Sequence, residues 1–214
     1  MSALLNHSRN LSGLPGAPLV LALAMLAAPA NAASGLSVTL TDGNGKPVPG
    51  AVVYLTSPAA ATAVKPLENA RITQKNKMFL PDVLVVTTGT PVAFPNEDTV
   101  RHHVYSFSSA KKFEIKLYVG TPSKPVVFDT PGVVVLGCNI HDHMVAWVVV
   151  VDTPYFGRTN DDGELTLPAA PAGDYTLRAW HHALPVGNDG VSTTLSLSVS
   201  PGHIDLAVPD LALP

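Results

Sequence analysis

Cys138-Asn139-Ile140-His141-Asp142-His143-Met144 holds the only cysteine of a 214-residue chain, two of its eight histidines and one of its four methionines. Apolar runs flank it: Val-Val-Val at residues 133–135, and Val-Ala-Trp-Val-Val-Val-Val at residues 145–151. Such β-branched runs favour strands, so the seven residues read as a tight loop joining two of them. Only across such a turn can a thiol, an imidazole three positions on and a thioether three positions further converge on one point.

Those donors select a metal. Thiolate and thioether sulfur beside imidazole nitrogen suit copper better than hard cations, and a trigonal His₂Cys plane with a weak axial Met is an electron-transfer geometry. The loop lacks one histidine of that set. Upstream, the polar stretch Asn96-Glu97-Asp98-Thr99-Val100-Arg101 leads into His102-His103-Val104, which offers two adjacent imidazoles. Neighbours in an extended strand point to opposite faces, so only one of the pair can face Cys138, His141 and Met144. His143, inside the loop, reads either as an exposed polar residue or as a reserve ligand at the edge of the site.

Three pieces of sequence resemble the cupredoxins, the small blue copper proteins, and they come in that family's order: residues 83–92 with Asn96, then His102, then Pro131-Gly132 through Met144. The spacing Cys-x₂-His-x₂-Met is similar to the short ligand loop of the amicyanin type, whose first histidine also follows an asparagine by six residues, as His102 follows Asn96. The resemblance implies a Greek-key β-sandwich and one mononuclear copper ion held by His102, Cys138, His141 and Met144, with His103 as the alternative to His102. His103 stands where amicyanin has an asparagine that steadies the loop. Residues 104–108, 112–118 and 151–156 are similar to a plastocyanin-like group known as methylamine utilisation proteins.

Composition fits a small exported protein. At 46% hydrophobic and 14% charged the chain can bury a core, and 20 prolines and 16 glycines suit turn-rich β structure. A net charge of -3 provides no basic field for nucleic acid. Near the N-terminus Arg9 precedes an apolar run from Leu19 to Ala28 and the small-residue site Ala30-Asn31-Ala32. This pattern predicts a secretory signal at residues 1–32, cleaved after Ala32, and a periplasmic or secreted mature protein with no integral membrane segment. In an exported chain a lone cysteine cannot form an internal disulfide. Metal ligation accounts for it; the plain competitor is a buried, inert thiol.

The remainder reads as strands. Leu36, Val38 and Leu40 alternate with polar residues before the Asp42-Gly43-Asn44-Gly45 turn, residues 51–55 form a second strand, and residues 57–64 read as a linker. After Phe156 come a turn into a strand at residues 159–167, another strand at residues 171–180, and two alternating strands that close the chain. Residues 38–51 and 159–180 together resemble the carboxypeptidase regulatory-like, or transthyretin-like (prealbumin-like), β-sandwich. The expected architecture is therefore all-β: a cupredoxin-like copper domain at residues 64–156, inserted in or packed on a second sandwich at residues 33–63 and 157–214. The apolar run at residues 145–151 supports packing, because a strand apolar on both faces needs cover on both.

No nucleophile elbow, phosphate loop or paired zinc cysteines occur, so the expectation is not an enzyme but a one-electron carrier between redox partner proteins. The alternatives are a copper carrier or storage protein, with His103 and His143 as transient ligands, and a structural module with a vestigial site. His181 and His182 read as surface or domain-contact residues.

Overall fold

Period-two patterning dominates the described residues, which are 33–211 and 213 of the computed structural model; the expected signal at residues 1–32 lies outside them. In chain order the elements are β1 (Ala33–Asp42), β2 (Val52–Thr56), α1 (Pro58–Thr62), β3 (Thr73–Lys75), β4 (Met78–Leu80), β5 (Val83–Thr87), β6 (Thr90–Val92), β7 (His102–Ser108), β8 (Lys111–Tyr118), β9 (Val126–Phe128), β10 (Gly132–Cys138), β11 (Val145–Val151), β12 (Phe156–Arg158), β13 (Glu164–Pro171), β14 (Gly173–Trp180), β15 (Val191–Leu197) and β16 (Gly202–Val208). The described residues are almost entirely β, as the sequence implies, with α1 their one helical turn. Among these residues no helix is long and apolar enough to cross a membrane.

Two sets of sheets share the chain. β13-β1-β16 and β12-β2-β14-β15 draw on its two ends, whereas β5-β11-β10-β7-β8, β3-β4 and β6-β9 come from the stretch between. In the five-stranded sheet β11 runs parallel to β5 and antiparallel to β10, with Val135 opposite Trp147 and Gly137 opposite Val145. That register sets the end of β10 beside the start of β11, which makes residues 139–144 a short connection.

β11 explains how the sets meet. Its even-numbered residues Ala146, Val148 and Val150 join Val104, Leu136 and Cys138 in one core, while Val149 and Val151 join Leu55, Leu177 and Ala179 in the other. Both faces are covered, as the apolar run predicts, apart from Val145 at the strand's start, which is 40% exposed. Each fully buried valine contributes roughly 1.5 kcal/mol or more relative to exposure, so this strand bonds the two sets through side chains alone.

The sequence reading differs from the structure between β2 and β5. Residues 57–64, expected as a linker, contain the single turn α1, because the Ser57 Oγ accepts from the Ala60 amide at 3.1 Å and Pro58 sits at the first helical position. The β3–β4 hairpin, unexpected from sequence, turns through Asn76 and Lys77 at φ 54° and 56°. It has no Asn-Gly or Asp-Gly pair to signal it.

Candidate metal centre

Cys138 ends β10 and is 3% exposed, packed in the core with Val104, Leu136 and Met144. The loop after it closes on itself: the Met144 amide donates to the His141 carbonyl at 3.0 Å, and the Cys138 amide to the Met144 carbonyl at 3.3 Å. The Asn139 amide donates to the His103 carbonyl at 3.1 Å and so ties the loop to β7. Met144 is 1% exposed.

The alternation of β7 separates the two adjacent histidines. His102 is fully buried, with Nδ1 3.7 Å from the Cys138 Sγ. His103 points the other way, where its Nε2 pairs with the Glu114 Oε1 at 2.8 Å. From the loop, the His141 Nδ1 lies 4.0 Å from the same sulfur, and its ring centroid is 5.1 Å from that of His102. His102, Cys138 and His141 thus offer three donor atoms within 4.8 Å of one another, a group that can hold a metal ion. His143 stays outside it, its Nε2 donating to the Lys77 carbonyl at 3.1 Å.

The donor set fits a first-row ion. Metal–sulfur and metal–nitrogen bonds of about 2.3 and 2.05 Å meeting at 110–120° separate sulfur from nitrogen by about 3.5–3.8 Å. The distances of 3.7 and 4.0 Å require movements of a few tenths of an ångström at most.

Asp98, which the sequence reading passed over as part of a polar loop, organises the buried half. Its Oδ2 accepts from the His102 Nε2 at 2.8 Å and from the Lys77 amide at 2.9 Å, and its Oδ1 accepts from the Asn76 amide at 2.6 Å. Burial pushes its carboxyl up, but the amide of Lys77, the His102 ring and the amide of Asn76 more than offset this and hold it below the usual carboxylate range. An ionised carboxylate only accepts, so in the neutral ring of His102 the proton is on Nε2 and the lone pair of Nδ1 faces the sulfur. For His141, partial burial and the neighbouring His102, Lys77 and His143 lower the ring's pKa, favouring the neutral form that ligates metals.

Asn96 braces the approach to β7. Its Nδ2 donates to the carbonyls of Val100 at 2.9 Å and Tyr118 at 3.0 Å, while its Oδ1 accepts from the Asp98 amide at 2.9 Å. Below them the Tyr118 hydroxyl bonds Gln74 and the Phe94 carbonyl, and burial pushes its pKa up.

No family model and no curated protein matches the chain. Similar solved structures include a purple cupredoxin from Nitrosopumilus maritimus, 24% identical over 39% of this chain and 100% of that one at a TM-score of 0.35. A copper-containing nitrite reductase from Thermus scotoductus SA-01 is 22% identical over 52% of this chain and 28% of that one, at a TM-score of 0.37. Amicyanin from Paracoccus versutus is 19% identical over 46% of this chain and 97% of that one, at a TM-score of 0.34. These neighbours are cupredoxin-type β-sandwiches and overlap only part of the chain; the chemistry of the site rests on its own donors.

Proposed function

We propose that the chain is an exported one-electron carrier that binds one mononuclear type 1 copper through His102, Cys138 and His141, with Met144 as the long axial ligand. The observation that carries this reading is the convergence of two imidazole Nδ1 atoms on one buried thiol, at 3.7 and 4.0 Å. Copper, when bound, supplies the one-electron couple between its two oxidation states. The protein's part is to keep the donor set unchanged through both. Cys138 is fixed in the strand β10, His102 is held by Asp98, and the loop is closed by its own amides, so little needs to move.

The His141 ring is partly exposed, and Ile140 next to it and Val145 at the start of β11 are 48% and 40% exposed. That rim, where these apolar side chains stand beside the exposed Asp142 and His143, is the contact offered to redox partner proteins, which gain and lose their electron nearest His141. The predicted signal at residues 1–32 assigns the work to the periplasm or the extracellular space. We assign residues 64–156 to the copper domain, and residues 33–63 with 157–214 to a prealbumin-like sandwich in which it is inserted. The sharing of β1, β2 and β12 to β16 between two sheets supports this division.

A second reading is a copper carrier that hands on its ion. What favours it is His143, whose ring centroid lies 6.0 Å from that of His141 at the surface. One experiment separates the readings: optical and electron paramagnetic resonance spectra of the copper-loaded protein, with voltammetry. Electron transfer requires an intense thiolate-to-copper band in the red part of the visible spectrum and a reversible couple. Colourless copper binding favours the carrier, and no binding leaves a structural module with a vestigial site.

A further inference from the structure

We infer that the Asn76-Lys77 turn between β3 and β4 is a clamp gripping both halves of the proposed site, with Asp98 as the positioning residue for His102 and the Lys77 carbonyl as anchor of the ligand loop. The inference rests on the reading of His102, Cys138 and His141 as copper ligands. The two halves come from separate strands, and within the sheet only the pairing of β10 with β7 joins them. The turn adds a second connection on the opposite side of the imidazoles.

Its backbone makes this possible. Lys75 lies opposite Met78, so the turn has two residues, and both are left-handed at φ 54° and 56°. Lysine rarely adopts that conformation. Successive amides in a turn can converge on one anion, and here both amides meet the Asp98 carboxylate, at 2.6 and 2.9 Å. The oxygen that takes the Lys77 amide also takes the His102 Nε2 proton, at 2.8 Å. On the other side of the same residue the Lys77 carbonyl receives the His143 ring at 3.1 Å. One residue therefore touches the orienting group of the first ligand and the loop that carries His141 and Met144.

The hairpin cannot drift from the site on its own. The Gln74 amide donates to the Pro95 carbonyl at 2.8 Å, the Glu97 amide donates to the Gln74 carbonyl at 2.8 Å, and the Lys75 ammonium meets the Glu97 carboxylate at 3.1 Å. A carboxylate on the remote nitrogen of a ligating imidazole fixes its tautomer and strengthens it as a donor, and losing such a partner costs 10- to 100-fold in metal affinity. In this chain the carboxylate is itself held by the turn, so disturbing the turn loosens His102 and the ligand loop together.

The test uses the full-length protein with copper and without. Asp98→Asn should weaken copper binding about 10- to 100-fold in competition with a chelator and shift the optical and paramagnetic spectra. In the metal-free protein, nitrogen-15 NMR of the histidine rings should find the His102 proton on Nε2 and slow to exchange, and should find it fast-exchanging or on the other nitrogen in Asp98→Asn. Lys77→Pro, which removes the amide and forbids the positive φ, should perturb the His102 and His143 rings at once. Wild-type affinity and spectra in Asp98→Asn, with only a lowered melting temperature, would reduce the contact to a structural one and overturn the proposal. If the wild type binds no copper, the copper reading fails by itself; the clamp is then judged on the metal-free rings and falls if Asp98→Asn leaves the His102 proton unchanged.

Discussion

Two pairs of adjacent histidines lie in this chain and do opposite things. His102 and His103 sit in β7, an extended segment, and part company: one ring is buried 3.7 Å from a thiol, the other lies over Glu114. His181 and His182 follow β14, where the strand has ended, and their rings stay together with centroids 4.3 Å apart. His182 stacks in turn on Trp147 at 5.1 Å, so this pair fills the contact between β11 and the outer sheets. Backbone conformation, not residue identity, decides which imidazoles can share a metal. Alternation sends one ring alone toward sulfur, whereas the second pair keeps its rings against each other and Trp147, with the His182 Nδ1 buried without a hydrogen-bond partner.

The sharpest way to break the comparison is to remove what distinguishes the first pair. Cys138→Ser should abolish the thiolate-to-copper band completely, because no other sulfur of that hardness and position exists in a chain with one cysteine. His102→Ala should bleach the protein as fully in the optical spectrum. Copper colour surviving Cys138→Ser would mean that the metal sits elsewhere. The same spectrum recorded for a His181→Gln variant should match the wild type, since no thiol accompanies the second pair.

A titration sharpens the contrast from the other side. His181 is 5% exposed; its Nδ1 accepts from the Ala183 amide at 3.2 Å and the ring donates to the backbone of Pro49. Burial first, then the neighbouring His182, depresses its pKa to about 4. The unfolded chain takes up the proton near the ordinary histidine value while the folded chain refuses it. The His181 contribution to stability should therefore fall as pH drops from the ordinary histidine value toward 4, by roughly 3 kcal/mol at most, and level off below. Chemical denaturation of the metal-free protein across that window should show the slope, and His181→Gln should flatten it relative to the wild type. Parallel curves for the two proteins would mean that the second pair is more open to solvent than its packing implies.

What could be read from sequence divides along the same line. Period-two alternation is local, so it separated His102 from His103 and marked residues 145–151 as covered on both faces. The loop spacing is local too. Asp98 was not legible, because its role depends on amides 21 and 22 residues away in a hairpin whose turn, Asn76-Lys77, carries no glycine. Strands of three residues leave too short a pattern to recognise. The sequence offers His181 and His182 as surface or domain-contact residues, but the packing of His182 on Trp147 was not legible, since it needs segments distant in sequence to meet.

The smallest expected effect belongs to His103, and its smallness is informative. Its ring pairs with Glu114, whose side chain is 49% exposed, and an ion pair that open to water contributes between 0 and about 1 kcal/mol. Its carbonyl, by contrast, receives the Asn139 amide that ties the ligand loop to β7. Truncating the side chain leaves that carbonyl in place, so His103→Ala should retain the copper spectrum and lose less than about 1 kcal/mol in denaturant unfolding. Glu114→Gln should do the same, because it removes the partner and not the tether. A bleached His103→Ala protein beside a coloured His102→Ala protein would exchange the roles of the two residues and require β7 to present its other face to Cys138, a one-residue slip that would also turn Val104 out of the core.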